Sequence, residues 1–240
     1  MYNRVNLIQD AINKVKAKRY LEIGVFKGFS FLKIKCQNKI GVDPKIMISK
    51  KQYIKSYLTN LSNLNNKFYE MKSDDFFDEN RKSSDPFYPE VVFIDGLHTF
   101  QQSLKDVVNT LNIIDRDGYI IVHDCNPPSE ASSVKALSVD EAKIICENKN
   151  ISGWNDEWCG DVWKTILYLK DNFDDLLVRV IDTDYGLGII KKTTKSKKKY
   201  KVLDNLDKYE KLSFSDLEKN KEEILNLTSV KDVPSLLQSL

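Results

Sequence analysis

Asp95, His98, His123 and Asp124 are the side chains of this sequence best placed by type and spacing to do chemistry together. The two histidines are the only ones in the chain, and each has an aspartate beside it or three residues away. A neutral imidazole takes up a proton near pH 7, while carboxylates orient a substrate or hold a divalent cation. Such a set suits removal of a proton from a hydroxyl, or activation of water at a metal. Aspartates at these places also cap helices, but capping gives no reason for both histidines to gather there.

The stretch from Val91 to Asp124 must position them. VVFI (Val91 to Ile94) is a short β-branched run of the kind buried in parallel sheets. Leu104, Val107, Val108, Leu111 and Ile114 follow at helical spacing. Asp117-Gly118 is a turn signal, and YIIV (Tyr119 to Val122) is a second buried strand. Asp95 and His98 thus leave the carboxyl end of one strand, and His123 and Asp124 leave that of the next. Parallel neighbours lie roughly 5 Å apart, and open α/β sheets bind ligands outside those ends. The four side chains are expected to share one cleft.

Upstream residues supply that cleft with a neighbour. A lead-in amphipathic helix (Val5 to Val15) precedes a strand at Tyr20 to Ile23. Gly24 and Gly28 then bracket a tight loop, and Ser30 stands where a helix would begin, so free N–H groups are expected to face a ligand. The spacing is G-x-x-x-G and not the G-x-G-x-x-G of dinucleotide enzymes. A second strand, KIGV, ends at Asp43, placed to bond both hydroxyls of a ribose; Asp43-Pro44 would also serve as a plain turn. A helix is expected over Tyr53 to Leu64 and a strand over Phe68 to Met71. Ser73 and Asp74 follow that strand, either to hold a nucleotide base or to cap a helix.

After Asp124, Asn126-Pro127-Pro128 breaks regular structure, and Ser138 to Cys146 reads as a short inserted helix. Trp154, Trp158 and Trp163 fall in one stretch, whose second half is helical. Tryptophans so spaced are usually core, the other reading being an apolar wall for an acceptor. Leu176 to Asp182 and Gly186 to Lys192 are strands joined by three residues, which requires an antiparallel hairpin. Lys191 to Lys201 is a basic strip, read as a solvated linker or as a docking strip for an anionic group. Two small helices are expected between Ser213 and Leu240, packed on the domain or on another subunit as in a homo-oligomer.

With 37 basic against 35 acidic residues in 240, no global field selects nucleic acid as a partner. No apolar run approaches the roughly 20 residues that cross a bilayer, and MYNRVNLIQD does not read as a signal peptide. Cys36, Cys125, Cys146 and Cys159 have no metal-site spacing, so reduced thiols and a cytoplasmic location are expected.

YLEIGVFKGFS and GVDP resemble the first two motifs of the class I S-adenosylmethionine-dependent methyltransferases, and the closing hairpin resembles their reversed seventh strand. FIDGLHTFQQSLKDV followed by GYIIVHDCNP is similar to a small bacterial family that includes macrolide-sugar and glycan O-methyltransferases. The resemblance spans roughly Tyr20 to Lys192. It implies an α/β, Rossmann-like fold with a mostly parallel seven-stranded sheet, helices on both faces and a helical tail. The methyltransferase domain would be residues 1–192, with an acceptor-side insertion at 125–160; a basic linker and tail would occupy 193–240.

By the same resemblance, S-adenosylmethionine would contact Glu22, Gly24, Gly28, Ser30, Asp43, Ser73, Asp74 and Asp95. His98 would be the general base beside Asp95. Mg²⁺ or Mn²⁺ would sit at Asp95, His123 and Asp124, where this chain has imidazole in place of one acidic ligand. The acceptor would be a sugar hydroxyl, or a phosphate or phosphoramidate oxygen of a precursor. Asn126-Pro127-Pro128 imitates a motif of nucleic-acid amino-methyltransferases, but it follows the wrong strand and Ser129 replaces the stacking aromatic. A metal-dependent hydrolase would leave the glycine loop and Asp43 unused, and a binding protein on a degenerate fold would leave the acidic and histidine set unused.

Overall fold

The computed structural model describes residues 1–194 and 198–239. Helix α1 (Arg4–Val15) leads into strand β1 (Arg19–Ile23), and β2 (Asn38–Val42), α2 (Lys50–Thr59), β3 (Asn66–Tyr69) and α3 (Ser73–Lys82) follow. The central unit is β4 (Val91–Ile94), α4 (Phe100–Leu111) and β5 (Tyr119–Val122), as the apolar pattern requires, with the helix starting one turn earlier. Helices α5 (Val139–Asn148) and α6 (Trp163–Asn172) precede the hairpin of β6 (Leu176–Ile181) and β7 (Leu187–Lys192). The tail holds α7 (Leu206–Glu210), α8 (Phe214–Lys219), α9 (Lys221–Leu225), β8 (Leu227–Thr228) and α10 (Val233–Ser239).

The sheet order is β3-β2-β1-β4-β5-β7-β6-β8. Strands β1 to β5 run parallel, and β7 is antiparallel to both β5 and β6. Side chains alternate between the two faces. Leu21, Ile23, Val92, Ile94, Ile120 and Val122 pack under α3, α4 and α6, while Tyr20, Val91, Phe93, Tyr119 and Ile121 pack under α1 and α10. The register pairs Ile23 with Val42 and with Ile94, and Ile94 with Val122. Gly24, Asp43, Asp95 and His123 therefore form one row at the carboxyl edge. No helix among the described residues is long and apolar enough to cross a membrane.

The expected seven strands form, and among the described residues a two-residue eighth, β8 of the tail, pairs parallel with the edge strand β6. Other expectations need correction. Among the described residues the tail forms four short helices, three of them after Ser213 where two were expected, and it packs back on the domain through Tyr209, Leu217, Leu225 and Leu237. The helix predicted over Tyr53 to Leu64 ends at Thr59, and Leu61–Asn65 is a separate 3₁₀ turn. Strand β3 lies two residues earlier than Phe68 to Met71. The basic strip is anchored at both ends: Lys191 lies over the Tyr119 ring, and Tyr200 is buried with its hydroxyl on Asp175. Its residues 195–197 lie outside the described residues.

The helix expected at Ser30 also does not form; the chain makes only turns there. The carbonyls that such a helix would use are held by side chains. The buried Lys39 ammonium donates to Phe31 O and Ile34 O, both at 2.8 Å, and to Asn63 Oδ1 at 2.6 Å. Asn60 Nδ2 donates to Leu32 O and Ile34 O. Lys39→Met would remove three hydrogen bonds from a charged donor and leave Phe31 O without a partner, while Ile34 O and Asn63 Oδ1 keep one each from Asn60 and Asn66; an orphaned buried acceptor costs roughly 1–3 kcal/mol. We expect it to lower unfolding free energy by about 3 kcal/mol in chemical denaturation; a change within error would show that this clamp is dispensable.

Candidate active site

A cavity of about 1070 Å³ opens over the row of strand ends, on both sides of the point where strand order reverses between β1 and β4. Ligand sites of open α/β sheets lie at such points, and the volume is at the upper end of small-molecule sites. It suits a nucleotide and an acceptor side by side.

One half is lined by Gly24, Ser30, Asp43, Ser73 and Asp74. Gly24 has φ +89°, and a Cβ there would lie 1.9 Å from the Asp95 carbonyl oxygen, so only glycine fits. The Asp43 carboxylate accepts the Phe26 and Lys45 amides at 2.8 and 2.7 Å, which fixes it while leaving further lone pairs for a ligand. Ser73 and Asp74 are the first residues of α3 and do not cap it; Lys72 holds that place without a side-chain bond. Gln102 Nε2 joins Ser73 Oγ, Asp74 Oδ1 and Asp106 Oδ1 at 3.2, 3.4 and 3.0 Å. Burial pushes the Asp106 carboxyl up to about 7, against the hydrogen bonds from Ser73 and Gln102.

Glu22 and Gly28 take other places. Glu22 is fully buried beneath the cavity, accepting from the Tyr20 hydroxyl and, at 2.6 Å, from Ser30 Oγ. Burial raises its carboxyl to about 7 although both hydrogen bonds oppose this. Gly28, at φ +69°, turns the loop against Ile48. Both support the lining without belonging to it.

The other half holds the acidic and histidine set. His98 Nδ1 lies 3.0 Å from Trp158 O. A carbonyl only accepts, so Nδ1 carries a proton and Nε2 is left to act. Nε2 is 3.3 Å from Asp95 Oδ1, and Nδ1 is 3.3 Å from Asp124 Oδ2. The Trp158 ring packs on the imidazole at 5.0 Å between centroids, which realises the wall reading for that tryptophan; Trp163 is core. Asp124 adopts φ +61°, which aspartate tolerates better than most residues. Neither Asp95 nor Asp124 caps a helix, since Thr99 caps α4 and Asp124 is followed by irregular chain.

His123 is buried, with Nδ1 at 2.9 Å from Asp124 Oδ2 and 3.3 Å from Asp95 Oδ1, yet neither ring nitrogen makes a hydrogen bond of good geometry. Burial opposes charge on both imidazoles. The facing Asp124 and Asp95 override it, pushing His98 up to about 9 and His123 well above its ordinary value. Burial likewise opposes charge on Asp95, and His123 and His98 hold it well below the carboxylate range. Asp95, His98 and Asp124 each offer a ligand atom within 4.8 Å of one another. This donor set of two carboxylates and an imidazole fits a divalent cation such as Mg²⁺ or Mn²⁺; it contains His98 where the sequence reading had His123.

Two participants escaped the sequence reading. Arg4 of α1 donates Nη1 to Asp95 at 2.9 Å, and clasps Asp184 through Nη2, Nε and its backbone amide at 2.8, 2.9 and 2.8 Å. Asp184 sits in the β6–β7 turn, 3.5 Å from His123 Nε2. Arg4 is 180 residues away in sequence, and no local pattern marks it. Tyr185 and Glu157, paired by a hydrogen bond, complete the wall.

Residues 21–125 match the family model of a methyltransferase domain. The fold is similar to that of cofactor-bound Rv0187 from MTB, at 13% identity and TM-score 0.54 over 80% of this chain and 79% of that one. It is also similar to TomG, an O-methyltransferase from Streptomyces achromogenes involved in tomaymycin synthesis, in complex with SAM (12% identity, TM-score 0.53, 79% of each chain). A third is the SAH-bound Podospora anserina methyltransferase PaMTH1 (17%, 0.50, 81% and 80%). No curated protein matches the chain.

Proposed function

We propose that this chain is a class I methyltransferase, a reading supported by the domain match over residues 21–125 and by the fold, and that it transfers the methyl group of S-adenosylmethionine to a hydroxyl of a sugar, glycan or glycan precursor. The observation that carries the reading is one continuous cavity with Gly24 and Asp43 in one half and His98, Asp95 and Asp124 in the other. The cofactor would lie over Gly24 with its ribose on Asp43 and its base toward Ser73 and Asp74. The sulfonium needs little activation, so the protein must align acceptor and methyl, worth roughly 7–11 kcal/mol, and remove one proton.

His98 is the residue for that proton. Its Nδ1–H is committed to Trp158 O, leaving one lone pair at Nε2. That single lone pair cannot serve a proton and a metal together, so we assign Nε2 to the proton and the carboxylates of Asp95 and Asp124 to a cation. A divalent ion there would lower the acceptor's pKa. Asp156, Glu157 and Asp184 on the same wall favour a neutral hydroxyl over a phosphate acceptor.

The pH dependence has a definite sign. Caged by carboxylates, His98 keeps its proton up to about pH 9, and a base must be unprotonated. With chelator, the rate should rise with pH through about 9. Mg²⁺ or Mn²⁺ should move that rise to lower pH, since the cation supplies the positive charge that the imidazolium supplied. A rate that falls as pH rises through this range would exclude His98 as the base. The central test is calorimetric titration of S-adenosylhomocysteine, with and without chelator and added Mg²⁺ or Mn²⁺. No binding under any condition would overturn the proposal.

A further inference from the structure

The near balance of charge conceals a strongly asymmetric distribution. Residues 23–69 contain nine lysines, no arginine and one acid, Asp43, leaving 28 basic against 34 acidic side chains elsewhere. Eight of the nine lysines are exposed; the ninth, Lys39, is the buried clamp. The same segment exposes aliphatic side chains that the fold leaves uncovered. Ile54 and Leu58 stand one turn apart on α2, with Leu61 and Leu64 on the 3₁₀ turn that follows, at 63%, 87%, 74% and 65% exposure. Among the residues of α2 only Ser56 is buried, and Lys50, Lys51 and Lys55 share the outward face with Ile54 and Leu58.

We infer that this face docks on an anionic membrane surface, the lysines meeting lipid headgroups while the aliphatic side chains enter the boundary with the acyl chains. An interfacial helix is recognised by an apolar face flanked by cations, with no acids to be repelled. Charge complementarity selects the occupant. A second copy would bring the same Lys50, Lys51 and Lys55 against these, at a cost in repulsion. A nucleic acid would gain nothing from four exposed aliphatic side chains, and the face lacks the arginine forks that read bases and phosphates.

The face adjoins the mouth of the cavity. Met47 N bonds Phe26 O at 2.8 Å, Gln52 Nε2 bonds Lys27 O at 2.8 Å, and Phe26 and Phe29, both cavity-lining, are exposed at 49% and 64%. Docking would therefore bring the cavity mouth to the lipid surface. Resting on the methyl-transfer reading, this suits an acceptor hydroxyl carried on a lipid.

The test is co-sedimentation of the full chain with vesicles of phosphatidylglycerol and phosphatidylcholine, against vesicles of phosphatidylcholine alone. Binding should require the anionic lipid, weaken with salt, and fall at least tenfold in both Ile54→Gln/Leu58→Gln and Lys51→Glu/Lys55→Glu. All four positions are exposed, so thermal unfolding and S-adenosylhomocysteine affinity should stay at wild-type values. Absence of binding to anionic vesicles, or binding indifferent to both variants, would overturn the inference. So would sedimentation as a dimer that the Ile54→Gln/Leu58→Gln change dissolves, or preferential binding of RNA. Vesicle binding is read without methyl transfer, so its failure and that of the proposed activity are distinguishable.

Discussion

Replacing His98 with alanine should lower methyl transfer by about 10²–10⁴-fold, the usual contribution of a positioned base, while S-adenosylhomocysteine binds as before. The split between turnover and cofactor affinity follows from placement. His98 stands beyond Asp95 in the half proposed for the acceptor, whereas the half proposed for the cofactor is built from the ends of β1, β2 and β3. A merely structural role would move the unfolding midpoint, because the His98 ring contacts Trp158 and is bonded to its carbonyl. His98→Gln keeps a planar polar group there without the basicity. It should hold the midpoint and still lose turnover. Excess Mn²⁺ adds a further discrimination: a histidine acting only as ligand is rescued by metal, a base is not. Full turnover in His98→Ala, or rescue of that variant by Mn²⁺, would remove His98 from the role of base.

What made this site legible beforehand was its locality. Asp95 and His98, and His123 and Asp124, each sit at the end of an apolar run short enough to be a buried strand. The parallel register then places their backbones level. The same holds for Gly24 and Asp43, one residue beyond Ile23 and Val42. Sequence reasoning failed where long-range contacts decide. Nothing around Arg4 signals that it will reach Asp95 and Asp184. The missing helix after Gly28 was likewise invisible, since Lys39, Asn60 and Asn63 come from later elements and take its carbonyls by tertiary contact. The apolar spacing of Ile54, Leu58, Leu61 and Leu64 suggests one helix, but the helix ends at Thr59 and all four side chains are exposed, since periodicity does not say which side of a helix faces the core. The eighth strand is two residues long, below the length at which alternation is readable.

Two glycines of similar tightness should fail in different ways, and that difference tests the division of the cavity. Gly160, at φ +61°, precedes α6, and a Cβ there would lie 1.8 Å from the His98 carbonyl oxygen. Gly24→Ala would meet the Asp95 carbonyl at 1.9 Å. Each alanine carries roughly 1–2 kcal/mol of left-handed strain, and each forces a backbone shift of about an ångström, which costs on the order of 10²-fold when it reaches reacting groups. Gly160→Ala displaces His98 alone. It should lower turnover by about 10²-fold with cofactor affinity intact. Gly24→Ala displaces Asp95 and also narrows the loop proposed to lie under the cofactor, so affinity for S-adenosylhomocysteine should fall together with turnover. Gly96→Ala is the control for folding: it has ordinary φ, and its Cβ would meet nothing closer than 3.5 Å. Its unfolding midpoint should match wild type, while those of the other two fall. If Gly160→Ala lost cofactor affinity as severely as Gly24→Ala, the two halves of the cavity would not be the separate sites that the residues on either side of β4 indicate.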